Sequence, residues 1–230
     1  NFNDEGHKLT IDGSISRNTD DSQSIIFGSN NYNNTLNNQV QKQAQFQADY
    51  VLPLGEGSQF EAGYKGNFGN LNNQYYVLDD QGERIDNLSN TLEYIENINA
   101  LYTQYGFKKN KFSYLFGLRW EDTNIEVNLL DNNDFNTKKY NNFFPSAFVS
   151  YEISDQSNIT TSDSKRLSRP RGRFMNPAVN YASNVNIFQG NPDLDPSMTN
   201  KFDFGFIKHQ GIRRYGVNGV ASRRFINPVS

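Results

Sequence analysis

His7 and His209 are the only imidazoles in this chain, and there is no cysteine. A disulfide framework and thiolate metal sites are thereby excluded, and the two histidines lie far apart in sequence. Carboxylates gather at Asp20-Asp21, Asp79-Asp80 and between Asp131 and Asp134. Oxygen ligands of that kind suit a hard cation such as calcium. None of the three clusters has the spacing of an EF-hand loop, with its glycine and closing glutamate, so a solvated loop is the simpler reading. No Gly-x-Ser-x-Gly elbow, His-Glu-x-x-His helix or phosphate-cradling glycine loop occurs. No catalytic, metal or cofactor-binding residue is assigned, and no enzyme activity is expected.

Positive charge concentrates at Arg166, Arg169, Arg171 and Arg173. A guanidinium pairs with carboxylate or phosphate through parallel N–H bonds. The run reads either as a solvated loop base or lumen-facing charges, or as a contact to lipopolysaccharide phosphates or an anionic ligand. Asn180, Tyr181, Asn184 and Phe188 follow, with amide and aromatic groups that suit sugars or peptides and suit packing within a loop equally well. Arg171, Arg173, Asn180, Tyr181, Asn184 and Phe188 are the candidate ligand-binding set.

The elements that would position these residues follow a period of two. Ala44, Phe46, Ala48, Tyr50 and Leu52 alternate with polar neighbours, as do Phe60, Ala62, Tyr64 and Phe68, and again Phe112, Tyr114, Phe116, Leu118 and Trp120. Successive side chains of a strand point to opposite faces, so each segment has one apolar and one largely polar side. The segments run to roughly ten residues, longer than an average soluble strand and sufficient for a tilted strand to cross a bilayer. The apolar side mixes Ala and Gly with aromatics, which lipid tolerates and a packed core does not. Aromatics make up 14% of the chain, yet hydrophobic residues are only 35% and mean hydropathy is −0.77. A net charge of −3 argues against nucleic acid as a partner.

Nine strands are predicted, near residues 6–18, 40–52, 58–69, 93–107, 111–124, 141–153, 158–167, 199–208 and 213–225. Short turns are expected near 53–57, 108–110, 154–157 and 210–211. Long polar connections are expected near 19–38, 70–91, 123–140 and 168–200. Short turns at one end and long loops at the other describe an antiparallel outer-membrane β-barrel, with periplasmic turns and extracellular loops. Trp120 and aromatics near strand ends would form interfacial girdles.

Phe144-Pro145-Ser146 opens one alternating strand, and Ser164-Lys165-Arg166-Leu167-Ser168-Arg169-Pro170 closes the next. Asn176-Pro177 follows, then Gly190-Asn191-Pro192-Asp193-Leu194-Asp195-Pro196 and a strand with Phe202, Phe204 and Phe206. In this order the motifs resemble the barrel of TonB-dependent receptors of the Bacteroidetes type, over residues 93 to 225. Phe144, Pro145, Arg169, Pro170, Asn176, Pro177, Gly190, Asn191, Pro192 and Pro196 are the motif positions, with structural roles expected from their proline, glycine and asparagine turn chemistry. Asp163 departs from the pattern, standing where the family places an apolar or aromatic residue.

The resemblance implies that residues 1–230 belong to one barrel domain of about 22 strands, as the C-terminal part of that barrel, truncated at both ends and lacking the plug. It implies capture of an extracellular nutrient ligand, import to the periplasm, and no cofactor. Expected partners are outer-membrane lipid and lipopolysaccharide, the TonB complex through a missing N-terminal region, and a surface lipoprotein. The rival readings are a passive porin, a barrel serving assembly or secretion, and a soluble β-rich adhesin module.

Overall fold

The computed structural model describes residues 6–27, 32–170, 172–176, 179–181, 187–210 and 213–225. Nine strands form one antiparallel sheet: β1 (Lys8–Phe27), β2 (Tyr32–Pro53), β3 (Ser58–Leu78), β4 (Asn90–Lys109), β5 (Phe112–Leu129), β6 (Asp134–Ser154), β7 (Ser157–Ser168), β10 (Ser197–Gln210) and β11 (Arg213–Phe225). Each pairs with the next in that order, a meander without crossovers. Between β7 and β10 lie a one-turn helix α1 (Gly172–Met175) and a small hairpin of β8 (Val179–Tyr181) and β9 (Ile187–Gln189). No helix among the described residues is long and apolar enough to cross a membrane.

The ladder registers align the alternation of every strand. Tyr64 stands opposite Leu101, Leu101 opposite Trp120, and Trp120 opposite Phe143. Lower in the sheet, Phe116 stands opposite Ala147, and Phe204 opposite Thr161. Directly opposed residues share a face, so one side of the sheet carries an apolar band from β1 to β11, broken in β7 by Asp163 and Lys165. That band is uncovered: Ile15 is 89% exposed, Phe143 56% and Leu101 55%. Toward the short turns it becomes a cluster of packed rings, with Phe107 and Tyr114 stacked 4.8 Å apart and Phe112 and Tyr151 tilted at 4.6 Å. An apolar surface of this extent is not left in water by a soluble protein.

The other face carries glutamine, carboxylate, tyrosine and arginine side chains. Tyr102 donates to Asp49, and its ring lies over Gly63, where any Cβ would overlap it. Gln104 donates to Glu61 at 2.6 Å.

Three of the predicted long connections are corrected. Residues 19–38, 70–91 and 123–140 are largely strand, because the arms of β1 through β6 continue far past the apolar band. β1 to β6 run 18 to 22 residues, about twice what a bilayer crossing needs. Ladder hydrogen bonding persists there after the outward apolar side ends, and in β5 the apolar alternation passes to the other face at Ile125, Val127 and Leu129. The remaining long connection, 169–196, is a true loop with its own short elements.

Pro145 marks where this geometry changes. The β6–β7 ladder begins at Ser146 opposite Ser164, and above it β6 pairs only with β5. Proline has no N–H to donate, so it is accommodated where one side of a strand loses its neighbour. The β5–β6 arm thus rises free of β7, and the 169–196 connection turns into the space beside it.

Candidate functional site

The site is built on the polar face, where the β7–β10 connection folds back onto the wall. Alternation places Leu92, Tyr94 and Glu96 of β4 and Glu121, Thr123, Ile125, Val127 and Leu129 of β5 on that face. Leu92, Ile125, Val127 and Leu129 form an apolar patch in otherwise polar surroundings, and Met175 from α1 is fully buried against it. Tyr94 and Tyr140 pack at its margin. Burying a thioether on four aliphatic side chains anchors α1 to the wall by about 1.5–3 kcal/mol.

A second anchor is ionic. Arg169, just past the end of β7, places Nη2 2.5 Å from Glu121 Oε2 and 3.2 Å from Thr123 Oγ1. The other Glu121 oxygen accepts from Arg119 Nε at 2.6 Å, and the Arg119 guanidinium lies 5.6 Å from the Tyr102 ring. Asp49, Tyr102, Arg119, Glu121 and Arg169 therefore run as one charged and hydrogen-bonded line up the polar face. Lys138 of β6 bridges Asp195 of the connection at 3.0 Å.

Two clefts flank this line. The upper one, about 350 Å³, is lined by Gln41, Gln43, Tyr94, Glu96, Arg169 and Pro170 among others. The lower, about 410 Å³, is lined by Gln47, Asp49, Lys65, Tyr102, Arg119 and Phe144 among others. Amide, carboxylate, phenol and guanidinium groups in such clefts hold a polar solute by hydrogen bonds. Among the described residues no three histidine or acidic side chains converge to hold a metal.

The predicted residues distribute as follows. Arg169 and Pro170 line the upper cleft and Phe144 the lower; Pro145 faces the apolar side opposite Leu118. Gly190 N–H donates to the Asn176 carbonyl and Asn191 N–H to the Phe174 carbonyl, both at 2.8 Å. A Cβ on Gly190 would lie 2.5 Å from that Asn176 oxygen, so only glycine allows the two backbones to meet. The Asn191 side chain accepts from Asp193 N–H at 2.8 Å, closing the turn that contains Pro192. Pro196 leads into β10 at the buried Ser197. Asn180 and Phe188 are opposite one another in the β8–β9 ladder, Tyr181 ends β8, and Arg173 belongs to α1. Arg171, Pro177 and Asn184 lie outside the described residues. Glu121, Thr123, Tyr94 and Gln43 carry the geometry but had no motif to mark them, because they meet Arg169 or its cleft only through sheet register.

At the far tips, the β3–β4 and β5–β6 hairpins are tied together. Arg84 Nη2 lies 2.6 Å from Asp131 Oδ1, and Thr91 N–H donates to the other carboxylate oxygen. Partial burial works against ionisation of Asp131, but the Arg84 and Thr91 donors outweigh it and hold the carboxyl below the usual carboxylate range. Asp79 accepts from Gln81 and Glu83 N–H within its own turn.

An uncovered apolar band on one face and a polar, cleft-bearing face on the other define a segment of β-barrel wall that meets lipid outside and a wet lumen inside. The chain belongs to the outer membrane protein beta-barrel family, whose model matches residues 1–227, and its place is the Gram-negative outer membrane. A search among curated proteins finds no significant sequence match. In fold it is similar to the ferric citrate transporter FecA in its unliganded form, with a TM-score of 0.63 at 13% identity over 90% of this chain and 30% of that one. It is similar to the ferric yersiniabactin uptake receptor FyuA from Yersinia pestis, with a TM-score of 0.61 at 10% identity over 94% of this chain and 33% of that one. The ferric-catecholate import receptor Fiu from K12 E. coli matches with a TM-score of 0.63 at 13% identity, over 97% of this chain and 38% of that one. The chain thus spans about a third of the length of these structures.

Proposed function

We propose that the chain is the C-terminal part of the barrel of a TonB-dependent receptor of the Bacteroidetes type, which captures an extracellular nutrient ligand and imports it to the periplasm. The observation that carries this reading is the β7–β10 connection anchored on the lumen wall by Met175 and by Arg169 on Glu121. Folded onto clefts that suit a polar solute, the connection gives the wall a place to hold one. The order of the Phe-Pro-Ser, Ser-Lys-Arg and Gly-Asn-Pro motifs and the shared fold with three uptake proteins lend further support. On this reading a plug and a TonB-contacting segment belong to the rest of the protein, and Arg173, Asn180, Tyr181 and Phe188 meet ligand, lipopolysaccharide or a surface lipoprotein at the outer mouth.

The test is growth of source cells lacking the full gene, each culture supplied with iron chelate, cobalamin, glycan or peptide as the limiting nutrient. Loss of growth on one class, reproduced by loss of TonB and reversed by the intact gene, is the expected result. Full growth without TonB, together with steady ion conductance of the purified protein in a planar bilayer, would establish a passive porin instead.

A further inference from the structure

Half-way up β7, Asp163 interrupts the apolar band. The register places it between Ala147 of β6 and Phe202 of β10, with Phe116 and Ala221 one strand further out on either side. The side chain is exposed, and among the described residues its carboxylate has no hydrogen bond or ion pair. Lys165 lies two positions on, on the same face, and it too is unpaired. A carboxylate facing hydrocarbon is unfavourable unless a partner satisfies it.

The two charges specify what that partner is. Opposite charges two residues apart on one face are self-complementary under a two-fold axis. We propose that this stretch of outer wall is an interface between two copies of the protein, in which Lys165 of each copy donates to Asp163 of the other. Both copies sit the same way up in the membrane, so the axis runs along the membrane normal. Two residues of a strand tilted by about 40° differ in depth by about 5 Å, a distance a lysine stem spans by bending toward the carboxylate. Beside Thr161 and Asp163 on the same face stand Phe202 and Phe204, both 49% exposed, which offer apolar contact to the facing wall. A lipid phosphate would pair with Lys165 and be repelled by Asp163, so it accounts for one charge and not the other. The inference rests on the barrel wall alone and stands or falls independently of the transport reading.

The test uses the full-length protein in outer membranes. This chain has no cysteine, so T161C provides a single cross-linking point within it, with I11C on the distant β1 as control. The two-fold sets the two Thr161 backbones about 13 Å apart along the interface, beyond a disulfide, so a flexible bis-maleimide is used. With the cross-linker T161C is expected to give a covalent dimer and I11C none. D163N and D163K, each added to T161C, are expected to lower the dimer yield about tenfold, and D163K with K165D to restore it to within about twofold. Heat-modifiable gel migration checks that each barrel is folded. Absence of the T161C dimer in folded protein, or an unchanged yield in D163N, would overturn the proposal. Failure of the double swap to restore the yield would also overturn it.

Discussion

At the residue scale, the pair of Arg169 and Glu121 carries most of the site's order. The two side chains are 21% and 12% exposed, so the pair is shielded from solvent without being sealed. Truncating one partner strands the other's charge on a half-buried wall, at a cost of about 2 kcal/mol. In the full-length protein, E121A is therefore expected to speed trypsin cleavage after Arg171 or Arg173 at least tenfold, while leaving the barrel folded; an unchanged cleavage rate would show that the pair does not hold the connection. M175A tests the apolar anchor separately. Loss of the side chain leaves a cavity against Leu92, Ile125, Val127 and Leu129, worth about 2–5 kcal/mol, and cleavage should accelerate again. G190A should act by another route, since its Cβ would meet backbone rather than a yielding side chain. Of this arrangement the sequence exposed one half. The arginine run and the glycine-proline turns stand out by composition. Glu121 and Thr123 do not, because they reach Arg169 across more than forty residues, a separation that only strand pairing closes.

At the scale of elements, the apolar band and its short turns are legible directly, because lipid imposes strict alternation on every strand that crosses it. The long arms are not, since without lipid the outward side has no demand for apolar residues while the ladder continues, and the inner side turns apolar where α1 covers it. β8, β9 and α1 were also missed, being too short to show a period. The arms are fastened at their tips, and there pH enters. Asp131 has a carboxyl depressed in the folded state, so its contribution is complete above the unfolded value near pH 4 and is lost as pH falls through the folded value. The pair with Arg84 is partly exposed, so the effect is about 1 kcal/mol or less. Spin labels at Gln81 and Asn132 should be equally restrained from pH 7 down to about pH 4 and loosen below it. In D131N they should be loose throughout. Restraint in D131N at pH 7 equal to that of the parent would remove the tie from the account.

At the scale of the whole molecule, one sheet separates two solvents. The apolar face is closed to water by lipid, the polar face is lined for solute, and the connection after β7 lies on the second. Topology follows from the same division: an epitope inserted at Gln81-Gly82 should be reached by antibody on intact cells, and one at Asp155-Gln156 only after the outer membrane is opened. The most direct measurement scans residues 112–120 of β5 with single spin-labelled cysteines in outer-membrane vesicles, reading collision with oxygen against collision with a water-soluble nickel chelate. Positions 112, 114, 116, 118 and 120 should favour oxygen, and 113, 115, 117 and 119 nickel. Uniform access to nickel along the strand, or alternation in the opposite phase, would contradict a wall with lipid on its aromatic face and the lumen on the other.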